Sequence, residues 1–514
     1  SLKGLSVTKS MYDVAIVGCG PSGATLANFL GLHGFRVLVL ERAASAYPLP
    51  RAVHLDDEVM RVFQSIGLAD AINDKVRVNA GMHFVDKDQN MLVDWSRPQS
   101  IGPYGWYPSY RFHQPDIEAI LHKGMTRFSS IDMRWCATVT SISQTESHVA
   151  IAYDDNGILA NATARFLIGC DGARSFVRHY VSTTKDAVSS DDITAVDRDD
   201  EMHDLGFKER WLVIDGLLKR PRPDLGDFTI QTCDPDRPST YARQPENWRR
   251  WEISLKDDET DDEVRSDSFI WSFLSPRVTP DDLSIERRAV YIFQSKLARH
   301  WRRGRVMIAG DAAHLTPPFM GQGMCIGIRD VANLAWKLAH TLRGGAFAVL
   351  DSYASERAPH ARAYIEMATY LGNLLNSCKT AEGLRTALTS PKPDQEDTKT
   401  TNAKMQSIAP RLGDGLGDVA DPLRGYRAPQ PRLSDGRLLD DFIGLKWGIV
   451  TRADSAAAIS RDDICVISDV NEPKLSAMLD DLGASAVIIR PDRYIHAVIA
   501  DTENISEAMA TIPD

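Results

Sequence analysis

A glycine pattern close to the start of the chain limits its fold more than any other feature. Residues 12–18 (Tyr-Asp-Val-Ala-Ile-Val-Gly) form a short apolar run of the kind a buried parallel strand presents. Gly18-x-Gly20-x-x-Gly23 follows at once, Pro21 to His33 reads as a helix rich in Ala and Leu, and Arg36 to Leu40 reads as the next strand. Strand, glycine turn, helix and strand make a βαβ unit, the usual opening of a doubly wound sheet. The first glycine permits the tight turn, the second lets backbone approach a pyrophosphate, and the third lets helix and strand pack closely. The helix N-terminus then turns its partial positive charge toward the phosphates. Glu41 ends the second strand, where a carboxylate can accept hydrogen bonds from ribose hydroxyls. The glycines alone also fit a plain turn, but with strand, helix and Glu41 in register they read as a dinucleotide site.

A chain of 514 residues is too long for one ordinary core and is expected to form two or three domains. Its formal net charge of -11 offers no basic footprint for nucleic acid or for an anionic membrane surface. An anionic small substrate would therefore need a local basic pocket. Seven scattered cysteines without a C-x-x-C pair argue against a disulfide framework and for a reducing, cytoplasmic setting. No stretch approaches the roughly 20 apolar residues of a membrane helix, and residues 1–10 read as a leader before the first strand.

Further along, strand-like runs dominate from about 80 to 165 and again from 205 to 295, including Met82–Val85, Val149–Tyr153, Trp211–Ile214, Trp251–Ser254 and Ala289–Phe293. They read as a sheet inserted between pieces of the nucleotide domain. An apolar strand returns at Val306–Ala309, followed by a long, largely buried helix at Ile328–Leu342. Residues 389–406 are rich in Pro, Lys, Asp and Thr and read as linker, and alternating strands and helices resume beyond about 430. The acidic run from Asp257 to Glu263 reads as a solvated loop.

Two more segments carry chemistry. Gly169-Cys-Asp171-Gly172-Ala-Arg174-Ser175 follows the strand Arg165–Ile168; its plain reading is an Asp-Gly turn with Ser175 capping the next helix. Gly310-Asp311-Ala-Ala-His314 leads through Pro317 and Pro318 to Gly321-Gln322-Gly323-Met324, between a strand and a long helix. It suits a ligand approached by backbone amides.

Together the three segments resemble the class A flavoprotein aromatic hydroxylases, typified by p-hydroxybenzoate hydroxylase, and within them the 3-(3-hydroxyphenyl)propionate hydroxylases. The likeness takes in Pro50-Arg51-Ala-Val-His-Leu-Asp-Asp-Glu58, Arg111-Phe-His-Gln114-Pro, Cys233-Asp-Pro235, Arg250-Trp-Glu252 and Trp301-Arg-Arg-Gly-Arg305-Val, and covers most of residues 11 to 360. It implies an α/β fold: a Rossmann-like FAD-binding domain (11–80, 111–180 and 296–388, the last with a helical region), an inserted, mainly antiparallel substrate sheet (81–110 and 181–295), a linker (389–430) and a thioredoxin-like C-terminal domain (431–514). It also implies FAD as cofactor, NADH or NADPH and O2 as co-substrates, and hydroxylation of a small phenol through a flavin C4a-hydroperoxide, in aromatic catabolism. Partners would be that substrate and, as a candidate, a second copy of the chain.

Carried onto this sequence, the resemblance makes Gly18, Gly20, Gly23 and Glu41 the ADP clamp, with Arg42, Arg51 and Gln114 as further FAD contacts. Asp311 would meet the ribityl chain, and Asp171 and Gly172 would line the region shared with the nicotinamide nucleotide. Pro318, Gly321, Gly323 and Met324 would face the flavin N1/O2 edge. His54, where the relatives favour a small residue, is a candidate catalytic group for deprotonating a phenol, or a buried histidine satisfied by backbone. Trp211, Gln231, Tyr241 and Pro317 complete the candidate substrate pocket. A flavin oxygenase of a polyketide, quinolone or other heteroaromatic substrate, or a non-catalytic FAD-binding protein, would keep the same FAD segments. No H-E-x-x-H or G-x-S-x-G occurs to support a metal or hydrolase site.

Overall fold

The computed structural model describes residues 11–48, 50–192, 200–377, 381–389, 409–452 and 461–514. The opening strand Tyr12–Val17 lies at the centre of a nine-stranded sheet, parallel to Val37–Leu40 on one side and to the end of Ile158–Gly169 on the other, in register Val14↔Val37 and Val14↔Phe166. On that second side Ala137–Gln144, Val149–Asp155 and Ile158–Gly169 form an antiparallel meander that extends the parallel core. Apolar residues on both faces of the central strands explain the continuous runs in the sequence, since helices cover the sheet. The helix Pro21–Leu32 has every residue from Gly23 to Gly31 buried, so it is sandwiched and shows no polar face.

A second sheet has eight strands, with Leu283–Ala298, Met202–Leu218, Trp248–Ser254, Ser239–Arg243 and Thr229–Thr232 side by side and antiparallel. Gly81–Val85 joins Thr229–Thr232 in parallel, as the one parallel pair of this sheet among the described residues. The short runs visible in the sequence are the middles of much longer strands: Trp211–Ile214 lies within a 17-residue strand and Ala289–Phe293 within a 16-residue one. One face packs on the helix Asp267–Leu274 through Leu212, Ile214, Tyr241 and Trp251, and the other faces the nucleotide domain. A small three-stranded sheet, His54–Asp56, Ser109–Phe112 and Val76–Val78, stands between the two. The acidic run is exposed except at Glu259, which pairs with Arg237, and its end forms a helical turn, Asp261–Val264, held by a capping box between Thr260 and Glu263.

The helix Gly323–Leu342 is buried without a break from Cys325 to Ala339. Three charged residues inside that stretch therefore need partners. Arg329 meets Glu58 and Asp56, Asp330 meets Arg357 and His314, and Lys337 meets Glu356. Part of the expected linker, 390–408, lies outside the described residues, as do residues 1–10. From 409 to 430 the chain is anchored at Leu412, Arg424 and Ala428, which are buried, while Val419 and Tyr426 stay exposed. The C-terminal sheet runs Ile464–Ser468, Trp447–Thr451, Ala486–Ile489, Ile495–Ile499, the first pair parallel and the others antiparallel, with the helix Pro473–Asp481 between Ile464–Ser468 and Ala486–Ile489 in sequence. Among the described residues no helix is long and apolar enough to cross a membrane.

Candidate dinucleotide and substrate site

The glycine turn is shaped by close backbone approaches. Gly18 has φ +94°, and a Cβ there would lie 2.3 Å from the Cys170 carbonyl oxygen; one at Gly23 would lie 2.1 Å from the Gly18 oxygen. At Gly20 a Cβ would meet nothing within 4 Å, so this glycine keeps open space. Gly20 is also the N-cap of Pro21–Leu32 and offers no side-chain bond, and the first helical turn carries no acid. A helix N-terminus left bare beside an open backbone cradle fits a pyrophosphate. Glu41 stands beside it, its carboxylate accepting from Cys19 N at 2.8 Å and Ala43 N at 2.9 Å, with Arg42 exposed next to it.

Asp171 is engaged locally. It accepts from Ser175 Oγ at 2.5 Å and from the N–H groups of Phe176 and Val177 at 2.7 and 3.1 Å, while Ser175 caps Arg178 N. Burial raises the Asp171 pKa above the usual carboxylate value. The carboxylate thus anchors the helix Phe176–Ser182. Gly172, at φ +80°, is the open position of the pair, because a Cβ there would meet nothing within 4 Å. Asp311 behaves oppositely: it is exposed on a 3-10 turn and finds no hydrogen-bond partner among the described residues. Gly310 holds that turn against the nucleotide helices, because a Cβ at Gly327 would lie 2.5 Å from Ser22 Oγ and 2.9 Å from the Gly310 Cα.

Pro317 is buried and Pro318 opens the turn Pro318–Met320, which Gly321 closes in the left-handed region at φ +63°. The helix beginning at Gly323 again lacks a side-chain cap, because the Gln322 amide oxygen is taken by Arg329 Nη1 at 2.9 Å. Its first N–H groups, at Gly323 and Met324, face a position where an anion or an electron-rich ring edge is favoured. Gln114 uses its carbonyl to hold the loop, accepting from Arg51 N at 2.9 Å and Ala52 N at 2.6 Å, and the Arg51 guanidinium lies over the Tyr47 ring.

His54 touches this turn. Its Nδ1 lies 3.2 Å from the Gly321 carbonyl oxygen and its Nε2 2.8 Å from Ser109 Oγ, which in turn accepts from Asn79 Nδ2 at 2.9 Å. A carbonyl can only accept, so Nδ1 carries the proton and Nε2 accepts from Ser109. Burial first, then the Arg111 charge, lower the His54 pKa to about 3, with Asp56 acting in the opposite sense. A neutral ring with both nitrogens engaged is a weak proton acceptor, and the geometry matches the backbone-satisfied histidine of the two sequence readings.

Of the other pocket candidates, Trp211 is buried against Phe319 at 5.6 Å, with its Nε1 donating to Glu209. Gln231 lies on the same sheet face, bonded to Thr240 Oγ1 at 2.7 Å and to the Ser239 carbonyl. Tyr241 does not line this face. Side chains alternate along a strand, so Thr240 points toward the nucleotide domain and Tyr241 away from it, packed on Trp251 beneath the helix Asp267–Leu274.

The structure also assembles groups to which no role attaches in the sequence. Arg250, held by Asp215 at 2.8 Å, donates to the carbonyls of Arg51 and Pro50 at 2.7 Å each, and Arg287 joins it on Pro50. The eight-stranded sheet thereby grips the loop that precedes His54. The segment Arg250-Trp-Glu252 is noticeable in the sequence, but its target, a pair of carbonyls some 200 residues earlier, is not. The bonds from Arg329 to Asp56 and Glu58 are equally long-range, and Arg329 also holds Gln322, one helical stretch before it.

Comparison with known proteins agrees with this geometry. The profile of the family described as FAD binding domain matches residues 11–368. A probable NADH-specific resorcinol 4-hydroxylase of Rhodococcus jostii (strain RHA1) is 32% identical, the match covering 97% of this chain and 94% of the relative. A 3-(3-hydroxy-phenyl)propionate/3-hydroxycinnamic acid hydroxylase of Mycolicibacterium smegmatis is also 32% identical, with 94% and 90% covered. In fold, the chain is similar to aklavinone-11 hydroxylase in complex with FAD and aklavinone (TM-score 0.77, 19% identity, 98% of this chain and 99% of that one) and to the flavin-dependent monooxygenase PieE with FAD and substrate (TM-score 0.78, 19% identity, 98% of each). A bare phosphate cradle, an uncapped second helix and relatives matched along almost their whole length converge: the chain belongs to the class A FAD-dependent aromatic hydroxylases.

Proposed function

We propose that this flavin-dependent hydroxylase acts on a small phenol substituted meta to its hydroxyl, of the 3-(3-hydroxyphenyl)propionate kind, in the net reaction of substrate, O2, NAD(P)H and a proton to hydroxylated product, NAD(P)+ and water. The observation that carries this reading is that two relatives matched almost end to end are named for rings of this substitution, resorcinol and 3-(3-hydroxyphenyl)propionate. Bound FAD supplies the electron storage and oxygen activation that side chains lack.

The chain's own residues would divide the remaining work. Gly18, Gly20, Gly23 and Glu41 would hold the ADP half, with Arg42 and Arg51 beside it and Gln114 fixing the Arg51 backbone. Asp311 would hold the ribityl chain, and Gly172, beside the helix anchored by Asp171, would leave room for the nicotinamide nucleotide to approach. The N–H groups at Gly323 and Met324 would stabilise negative charge at the flavin edge, with Pro318 and Gly321 bracing the turn through the Gly321 N–H, which donates to the Pro318 carbonyl at 2.8 Å. His54 would act by positioning: its bond to the Gly321 carbonyl fixes the turn that presents those N–H groups. Trp211 and Pro317, both buried, would keep water from the reacting ring.

A thioredoxin-like reading of 431–514 is supported by the strand order of its described residues, a parallel pair followed by an antiparallel hairpin with a helix before the hairpin. Without a C-x-x-C pair it would serve as scaffold. The test is NADH and NADPH oxidation by the flavin-loaded protein across a panel of phenols, with product analysis. Coupled formation of a diphenol or triphenol from meta-substituted phenols is expected; flavin reduction that no phenol accelerates, with no oxygenated product, would refute the reading.

A further inference from the structure

The strand Ser109–Phe112 buries Tyr110 and Phe112 in the nucleotide-domain core and turns Ser109 and Arg111 toward the substrate sheet. Arg111 is only 9% exposed. Its Nη2 donates to Thr229 Oγ1 at 2.5 Å, its Nε is buried without an acceptor, and no carboxylate of the described residues lies within ion-pair distance of it. That is unusual within this molecule. The buried Arg61, Arg178, Arg250, Arg357 and Arg490 each face a carboxylate at 3.0 Å or less. Arg249, which like Arg111 has no such partner, gives its Nη1 protons to the Glu246 and Trp248 carbonyls instead. A buried guanidinium is costly unless paired, so the missing partner of Arg111 calls for a counter-ion.

A second cation stands behind it. Arg97 lies over the Trp95 ring at 4.2 Å and has no ion pair among the described residues. After burial, the Arg97 charge is the largest influence on Arg111 and lowers its pKa to about 10; Glu252 opposes it from beyond ion-pair distance and is itself nearer Arg250, at 3.7 Å. Arg111 is also the cross-strand partner of His54, whose ring reaches the Gly321 carbonyl. The unpaired cations thus adjoin the turn assigned to the flavin edge. In a chain of net charge -11, long-range attraction of an anion is absent, and a local pair of guanidiniums has to supply it.

We propose that Arg111, reinforced by Arg97, binds the carboxylate of an anionic aromatic substrate and so selects a phenol with an acid side chain over a neutral one such as resorcinol. A guanidinium binds a carboxylate through charge-assisted hydrogen bonds, and Nε and Nη1 of Arg111, on different edges of its plane, are the donors left to make them. The inference rests on the phenol-hydroxylase reading above and narrows its substrate.

The test is titration of the oxidised, FAD-loaded enzyme with 3-(3-hydroxyphenyl)propionate, its methyl ester and resorcinol, followed by perturbation of the flavin spectrum. The acid should bind about tenfold or more tightly than the ester, as expected for a hydrogen bond between charged groups. Arg111→Gln should erase that preference while leaving ester and resorcinol binding in place, Arg97→Gln should reduce it, and Arg111→Lys should restore part of it. Lysine keeps the charge, which guards the comparison against a folding failure. Equal binding of acid and ester by the unaltered enzyme, or equal weakening of all three ligands by Arg111→Gln, would overturn the proposal. Hydroxylation of neutral phenols with no preference for the acid removes the anion site and leaves the hydroxylase reading intact. Tight, acid-selective binding with no oxygenated product does the reverse.

Discussion

At Gly23 one methyl group stands between a formed and a broken nucleotide turn. A Cβ there would sit 2.1 Å from the Gly18 oxygen, whereas at Gly20 it would meet nothing within 4 Å. Gly23→Ala is therefore expected to cost about 1–3 kcal/mol of stability, the usual range for overpacking, and to lose flavin, read from denaturant midpoints and the flavin-to-protein absorbance ratio. Gly20→Ala should keep the midpoint and weaken FAD binding alone; equal stability loss in both would contradict the cradle. His54 gives a pH prediction. Its pKa is lowered from 6.5 to about 3 in the folded chain, so the unfolded chain takes up this proton first as pH falls. Stability from the neutral ring is complete above pH 6.5 and is lost as pH drops toward about 3. Melting temperature against pH should fall less steeply in His54→Asn, and the activity profile near neutrality should show no His54 limb. The glycines are readable in the sequence because their demands are local. Tyr241 is not, because facing depends on strand parity: a shift of one residue exchanges it for Thr240.

Among the elements, the helix Gly323–Leu342 illustrates how burial changes what a sequence can convey. Its apolar spacing is visible from Ile328 onward, yet the helix starts at Gly323, and Arg329 sits inside a wholly buried stretch. There Arg329 neutralises Asp56 and Glu58 and holds the Gln322 side chain away from the helix N-terminus. Arg329→Met leaves two buried carboxylates facing each other without a cation, a loss of about 3–5 kcal/mol for a broken buried pair. The expected result is a lower denaturant midpoint together with an altered flavin spectrum, since Gln322 is freed to cap the first turn. An unchanged midpoint would show that the carboxylates find another partner. The eight-stranded sheet behaves similarly: its strands of 16 and 17 residues read as short runs because only their middles are apolar on both faces.

For the whole molecule, the C-terminal unit is tied to the nucleotide domain by buried charge. Arg490 meets Glu356 at 2.7 Å, Arg61 meets Asp440 at 2.5 Å, and the Tyr494 hydroxyl donates to Glu58, while Trp336 and Trp447 pack edge to face at 5.3 Å across the junction. Groups shared this way cannot be exposed one side at a time without leaving uncompensated ions. Flavin release and tryptophan fluorescence should therefore report one unfolding transition, and Glu356→Ala, which strands Lys337 and leaves Arg490 with Asp492 alone, should lower it for both probes together; two separate transitions would mean independent domains. The glycine turn, the kinship to flavin hydroxylases and the strand-rich stretches of the second sheet are legible in the chain alone, because glycine geometry and apolar periodicity act over a few residues. Folding settles the rest: which side of each strand meets the site, that His54 is engaged at both nitrogens, and that Arg111 lacks the carboxylate that buried Arg250 and Arg329 possess. Those outcomes depend on partners tens to hundreds of residues away, and burial and charge pairing exist only once the chain has closed around them.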